Sequence, residues 1–533
     1  MTIGRLRNPF IHRIQPVFGL AKPPTTASFK PMRLILAILI AGTGLVSAAE
    51  WNRLRGPNGS GVAANARPPV KLDPAQPTWK SPIPNGHSSP VLWGPRLFLT
   101  GVENNRLVTL AYDKATGKLL WKRPAPEVAL ERVHQASSHA APTPVVDAQR
   151  LYVYFGSYGL LCYDHEGKLL WQRQLAVPRT LYGTSSSPII HGNLLLLVLD
   201  DDQNLPNSRL SRSKVLAGEQ TTGQTVWETP RPFHRSGWST PVIWRHAEDT
   251  EELVVLGNGA LRGYALPSGR ELWHVTGFSR ETISAPIVAD GKVLASASRR
   301  GGGGNEHVDP EPFWKSVIHF DANQDGKLQR KEMTGHFTFP FRPELPYGHP
   351  GYGMPLPKDP HQRARRLDGI FGWMDKNRDG AWTREEFLGN FGHGQGKPLL
   401  ISVKSGGRGD ITESHLAWEY NRGIAEIPTP LAHDGRVFFV RSGGILTALR
   451  AASGKPLYSE RLGASGQYSA SPVLANNHLY LASEPGVITI VKAGDQLNTV
   501  HQVKLDDSIH VTPALDQATL YIRGEKNLWA FRK

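Results

Sequence analysis

A chain of 533 residues, 39% hydrophobic and 20% charged, is too long for one small core and reads as several domains or one large repetitive fold. The net charge of +15 falls to +9 without residues 1–49, which hold six basic and no acidic side chains, and no dense Lys/Arg block remains to suit a nucleic acid. The single cysteine, Cys162, excludes an intramolecular disulfide and any chemistry that needs a cysteine pair.

Residues 1–31 read as an unstructured extension or a misassigned start. Met32 and Arg33 precede the apolar run Leu34 to Leu45, and Val46-Ser47-Ala48-Ala49 supplies small residues for cleavage. This is the pattern of a signal peptide over 32–49, cut after Ala48 or Ala49, and it predicts a periplasmic or secreted protein. The run is too short to span a bilayer and no cysteine follows it, so neither a transmembrane nor a lipid anchor is expected after cleavage.

From residue 50 a repeat sets in. A small polar pair and a proline precede a short apolar strand, further strands follow, and the unit closes on Thr/Ser-Gly-Lys and Trp. The clearest copy runs from Ser88-Ser89-Pro90-Val91-Leu92 to Ala111-Tyr112-Asp113-Lys114-Ala115-Thr116-Gly117-Lys118-Leu119-Leu120-Trp121. Later copies open at Pro144, Pro188, Pro241, Pro286, Pro430, Pro472 and Pro513, spaced by 54, 44, 53, 45, 144, 42 and 41 residues. All but one spacing match a four-stranded propeller blade, and the long one is a blade plus an insertion.

The closing Trp recurs at Trp121, Trp171, Trp227, Trp273 and Trp418, the first four after Gly117, Gly167, Gly223 and Gly269. Gly takes a positive-φ turn position and the indole seals the seam to the next blade. Tyr458 replaces Trp in the sixth copy. The seventh lacks the Gly-Trp ending, which predicts a looser seam. The eighth stops at Leu528-Trp529-Ala530-Phe531, one strand short, and Pro77-Thr78-Trp79-Lys80 offers that strand. Pairing the termini would close the ring and remove a sheet edge. The expectation is an all-β, eight-bladed β-propeller with a small α-helical insertion in the fifth blade. Blades one to five (first part) occupy 50–300, the insert 301–398, and the rest of blade five to blade eight 399–533.

The Ala-x-Asp-x-x-Thr-Gly-Lys-x-x-Trp pattern resembles the repeat of quinoprotein alcohol dehydrogenases and of the outer-membrane assembly factor BamB. Trp51-Asn-Arg-Leu-Arg-Gly-Pro57 with Gly59 and Gly61 looks like the start of exported propellers with repeats of the pyrroloquinoline quinone (PQQ) kind. The resemblance implies the propeller fold over 51–533, apart from the insert, and leaves activity open.

Within the insert, Asp321-Ala322-Asn323-Gln324-Asp325-Gly326-Lys327-Leu328-Gln329-Arg330-Lys331-Glu332 and Asp375-Lys376-Asn377-Arg378-Asp379-Gly380-Ala381-Trp382-Thr383-Arg384-Glu385-Glu386 fit the EF-hand loop. Calcium needs six to eight oxygens. Asp321, Asn323 and Asp325, then Asp375, Asn377 and Asp379, supply the first three positions. The carbonyls of Lys327 and Ala381 follow, Gln329 and Thr383 act through water, and Glu332 and Glu386 close the sites. Helices are expected over 312–320, 363–374 and 384–391. The intervening segment 333–374 is longer than in compact EF-hand pairs, which argues against tight pairing of the loops.

The expected cofactor is calcium, two ions. No catalytic residue emerges. As the family is known, a quinone enzyme holds its cofactor over the channel under a ring of two adjacent cysteines, which this chain cannot form. A PQQ-dependent oxidoreductase is therefore the alternative to a non-catalytic binding module, which would take a protein or glycan at the propeller face. That face would carry His87, His139, Ser185, Trp238, Ser284 and His510. The chain is expected to be a monomer. Cys162 matches Ala111 in the repeat and reads as a buried core residue. Arg408-Gly409-Asp410 is placed in a strand-joining turn, and Gly301 to Gly304 reads as a hinge.

Overall fold

The opening proline of each repeat has no N–H to donate, and it stands just before the innermost strand of a sheet. First strands follow at Val91–Trp93, Val145–Val146, Ile189–His191, Val242–Ala247, Ile287–Ala289, Leu431–His433, Val473–Ala475 and Ala514–Asp516. Second and third strands are buried on both faces, as Leu151–Phe155 and Gly159–Tyr163 show by having every residue buried. That is why they read as unbroken apolar runs. Outermost strands are largely exposed apart from the seam residue, so in Leu119–Pro124 only Trp121 is buried. The computed structural model describes residues 51–180, 182–201, 212–231, 236–247, 250–279, 282–298, 311–340, 346–348, 352–392 and 398–533. Eight sheets of the propeller type result, one per repeat, as expected. The signal segment and Gly301 to Gly304 lie outside the described residues.

The ring closes through the termini. Strand Trp79–Pro82 pairs antiparallel with Asn527–Arg532, placing Trp79 opposite Ala530 and Pro82 opposite Asn527. Blade eight thus takes its outermost strand from the start of the chain.

The seams repeat one contact. The indoles of Trp79, Trp121, Trp171, Trp227 and Trp418 each lie against a positive-φ glycine of the next blade: Gly117, Gly167, Gly223, Gly269 and Gly454. Each indole Nε1 also donates to a backbone carbonyl there (Lys114, His165, Gln220, Leu266, Ala451) at 2.8–3.2 Å. Glycine is required twice over, for its φ and because the ring occupies the place of a Cβ.

Blade four departs from this. Trp273 turns onto Gly263 of its own sheet and donates to the buried carboxylate of Glu252 at 2.6 Å. Blade five lacks the Gly turn here, and its Gly409–Asp410 instead lies parallel to Trp273 and His274 as an added strand. The tripeptide around Gly409 is therefore sheet-forming, which corrects its placement in a simple turn. The seventh seam is also not loose. His501 stands where Trp does in other blades and hydrogen-bonds the Leu72 carbonyl at 3.0 Å. Leu72, Ala66 and Val70 pack with residues of blades seven and eight. The filler comes from the non-repeating N-terminal arm, so repeat logic could not show it.

The insert leaves blade five between strands Lys292–Ala297 and Leu399–Val403, which pair directly. It carries the three helices of the described residues: α1 (Glu311–Ile318), α2 (Pro360–Met374, capped by Asp359) and α3 (Arg384–Gly392). All three expected helices are present. The insert has its own core around Trp314, Phe337, Phe371, Met374, Trp382 and Phe387.

Candidate functional site

The residue before each opening proline faces the channel. In blades one to eight these are Ser89, Thr143, Ser187, Thr240, Ala285, Thr429, Ser471 and Thr512. The backbone N–H of one blade donates to the hydroxyl of the next: Ser89 to Thr143, Thr143 to Ser187, Ser187 to Thr240, Ala285 to Thr429, Thr429 to Ser471 and Ser471 to Thr512, at 2.9–3.1 Å. Ala285 has no hydroxyl and breaks the ring at Thr240. The polar residue of the repeat is thus an inter-blade latch, a role that its recurrence in the sequence did not disclose.

Deeper in the channel lies the segment 51–61, which is bonded to the inner strands. The Leu92 N–H donates to the Trp51 carbonyl, and Val146 exchanges hydrogen bonds with Asn52. Asn58 does the same with Ile243, and the Leu474 N–H donates to the Gly61 carbonyl. Arg53 Nη2 donates to the Pro241 carbonyl at 2.8 Å. Arg55 uses all five N–H groups, on the carbonyls of Gly59, Ser60, Thr429, Pro430 and Pro472. Burial lowers the Arg55 guanidinium to about 9 and that of Arg53 to about 10, so both stay charged at neutral pH. In the sequence this segment shows only as a family-like start. Its two arginines among Gly56, Gly59 and Gly61, all at positive φ, were the available signal.

Above the plug is a pocket of about 220 Å³. Its wall includes Arg55, the hydroxyl ring, His87, His510, Tyr182 and Trp238. The rings of His87 and His510 stack at 5.1 Å, while Tyr182 meets Trp238 edge-on at 5.2 Å. Burial, with His510 and Arg523 nearby, drives His87 down to about 3 and keeps it neutral. Of the six residues expected at the mouth, His87, Ser185, Trp238 and His510 line it. His139 instead bonds the Glu131 carbonyl at 2.8 Å, and Ser284 is buried against Ser296 at 3.0 Å. Cys162 sits opposite Trp171 inside blade two, as Ala111 sits opposite Trp121, and burial raises its thiol.

The two acidic loops of the insert match each other position by position. Gln324 and Arg378 have φ of 56° and 61°, and Gly326 and Gly380 have 78° and 81°. The first acid accepts the glycine N–H at 2.9 Å in both, Asp321 from Gly326 and Asp375 from Gly380. Glu332 Oε1 accepts from Ala322 and Asn323 at 3.0 and 3.2 Å, and Glu386 Oε1 from Lys376 and Asn377 at the same distances. Asn323 and Asn377 donate to Asp325 and Asp379. Gln329 also donates to Asp325, Thr383 to Glu386, and Lys327 lies 3.8 Å from Asp379 across the loops. Asp375 Oδ1 is buried and has no hydrogen-bond partner among the described residues. The loops pair, contrary to expectation. Leu328 stands opposite Trp382 and Gln329 opposite Ala381 in an antiparallel bridge. The long connection does not prevent this because it folds back through the hairpin of Thr338–Pro340 and Gly353–Pro355 and packs Phe337 and Leu356 into the insert's core.

The family model of the outer membrane protein assembly factor BamB matches residues 70–235, 211–317 and 405–533. The chain belongs to this family. Among solved structures, the BamB of Moraxella catarrhalis is similar with a TM-score of 0.50 at 10% identity, covering 86% of this chain and 99% of that one. A europium-containing methanol dehydrogenase is similar with a TM-score of 0.52 at 10% identity, covering 92% and 99%. At such identity both likenesses speak for the propeller fold alone. The BamB-family match leaves out much of the insert, including both acidic loops. No helix of the described residues is long and apolar enough to cross a membrane.

Proposed function

We propose that this BamB-family chain is an exported, calcium-loaded propeller that binds a protein or glycan at its channel mouth and catalyses no reaction of its own. The observation that carries the calcium reading is the orphaned Asp375 Oδ1, in a loop whose twin has the same backbone turn and holds the equivalent Asp321 Oδ1 with one long bond from the Asp325 N–H at 3.3 Å. A buried carboxylate oxygen without a donor is costly unless a cation satisfies it. Asp321, Asn323, Asp325, the Lys327 carbonyl, Gln329 and Glu332 would hold one ion. Asp375, Asn377, Asp379, the Ala381 carbonyl, Thr383 and Glu386 would hold the other. Bound calcium supplies charge neutralisation, and its role would be structural.

The name of the family, an assembly factor of the outer membrane, supports export and partner binding. The alternative, a PQQ-dependent oxidoreductase, is disfavoured by chemistry: the one thiol is locked inside blade two and cannot form a two-cysteine ring.

Calorimetric titration of the mature chain should show two calcium sites, each abolished by its own variant, Glu332→Gln or Glu386→Gln. No heat up to millimolar calcium would overturn the metal reading. Quinone plus calcium, assayed by dye-coupled alcohol oxidation, should give no turnover, and turnover would establish the alternative.

A further inference from the structure

We propose that the channel mouth is a receptor for a small oxyanion, bearing carboxylate or phosphate oxygens, seated on the hydroxyl ring above Arg55. This deepens the reading of the mouth as the binding surface and rests on it.

The first argument is a set of unused donors. Thr143, Ser187, Thr240, Thr429, Ser471 and Thr512 are 2, 1, 4, 4, 6 and 6% exposed, and all line the pocket. Each oxygen accepts an N–H from the preceding blade of its latch, yet among the described residues none of these O–H groups has an acceptor. A hydroxyl that accepts a hydrogen bond becomes a stronger donor, and a buried donor without a partner is costly. Six such groups on one ring call for a ligand rich in acceptors.

The second argument is charge. Arg55, on the pocket lining, is 1% exposed, and Arg53 and Arg523, off the lining, are 5 and 1% exposed. Among the described residues their bonds go to carbonyls and, for Arg523, also to the Ser88 hydroxyl, with no carboxylate among them. Carbonyl dipoles hold a guanidinium but do not cancel its charge, so its field persists in a low-dielectric pocket. Among the described residues one carboxylate, Glu426, lies on the lining and is partly exposed, and Glu484 accepts from the lining residue Ser469 and stands 3.9 Å from His510. O–H donors on the pocket wall over an uncompensated cation select an anion. A neutral sugar would satisfy the donors and leave the charge, while a cation would be repelled. The volume of about 220 Å³ is below that of a drug-sized site, so the seated group is small, alone or at the tip of a larger partner.

The test titrates inorganic phosphate and oxalate separately into the mature chain at neutral pH and low salt. Saturable binding of either is expected, and the preferred probe names the class of oxyanion. Ser471→Ala and Thr512→Val should each weaken it by about tenfold, the worth of one charge-assisted hydrogen bond, and Ser471→Thr should retain it. The calcium-free chain should bind equally well, since the ring lies outside the insert, so failure of the metal reading and failure of this one are separable. No heat with either probe up to about 10 mM overturns the proposal. So does unchanged affinity in both hydroxyl-deleted variants. The wild-type titration decides the matter alone should those variants fail to fold.

Discussion

Trp79 stands opposite Ala530, and its indole covers Gly117 of the first blade, so one residue both closes the last blade and seals it to the first. Deleting residues 51–80 would remove that strand, the channel plug and the filler of the seventh seam together. The expected outcome is aggregation through the exposed edge of Asn527–Arg532, seen by light scattering after gel filtration. A monodisperse truncated chain with one cooperative unfolding transition would show that closure is dispensable.

The seam glycines can be tested one against another. At Gly167, φ is 81° and an added Cβ would lie 2.7 Å from the Trp121 ring, whereas at Gly94, with φ of 51°, it would meet open space. Gly94→Ala should cost about 1 kcal/mol, the backbone term alone. Gly167→Ala adds a clash in a packed seam and should cost about 2–4 kcal/mol by urea unfolding. Equal losses at the two positions would contradict the stacking.

Arg55→Met leaves five carbonyls without their donor and should lose about 3 kcal/mol or more. Arg55→Lys should lose nearly as much, because a point-like ammonium cannot span the fork. The comparison is made by thermal unfolding. A lysine variant of wild-type stability would mean that charge, not geometry, holds the plug.

Glu131 gives stability a pH dependence. Burial raises its carboxyl from 4.5 to about 7, with Thr184 bonded to Oε1 and no partner for Oε2 among the described residues. Between those values the folded chain binds more protons than the unfolded chain, so this group makes stability fall as pH rises from about 4.5 to 7. Glu131→Gln removes the cost of ionising a buried acid and should gain on the order of 1–2 kcal/mol at pH 8 and nothing at pH 4. Denaturant midpoints of both proteins at the two pH values check the sign.

Chelation should loosen the insert and spare the propeller. Without calcium, roughly three carboxylates per loop repel one another. Each loop has Asn at its third position, so affinity should be moderate. Trp382, fully buried in the insert's core, is the reporter. With chelator, a separate transition in tryptophan fluorescence should appear at lower temperature, with the main transition unmoved. A single transition shifted as a whole would mean that insert and propeller unfold as one unit.

Much of this architecture was legible in the residues. Repeating Pro, Gly and Trp report local demands: an inner edge without a donor, a positive-φ turn, and a flat ring for a flat seam. These recur because every blade meets the same neighbours, so repetition alone yields eight blades, the place of the insert, the core position of Cys162 and the borrowed strand at Trp79. The three helices follow from the same kind of local pattern.

What repetition could not supply is whatever breaks it or joins residues across the ring. The plug at Arg55, the arm that fills the seventh seam, and the added strand at Gly409 are single-copy features. Their partners lie as far off in sequence as Pro472 is from Arg55. The hydroxyls before each proline were visible as a pattern. Only closure of the ring brings Ser89 to Thr143, and so on round the channel, setting the donors against one buried positive charge. A sequence records which side chains each blade carries. The direction in which their unused hydrogen bonds and uncompensated charges point is a property of the closed ring.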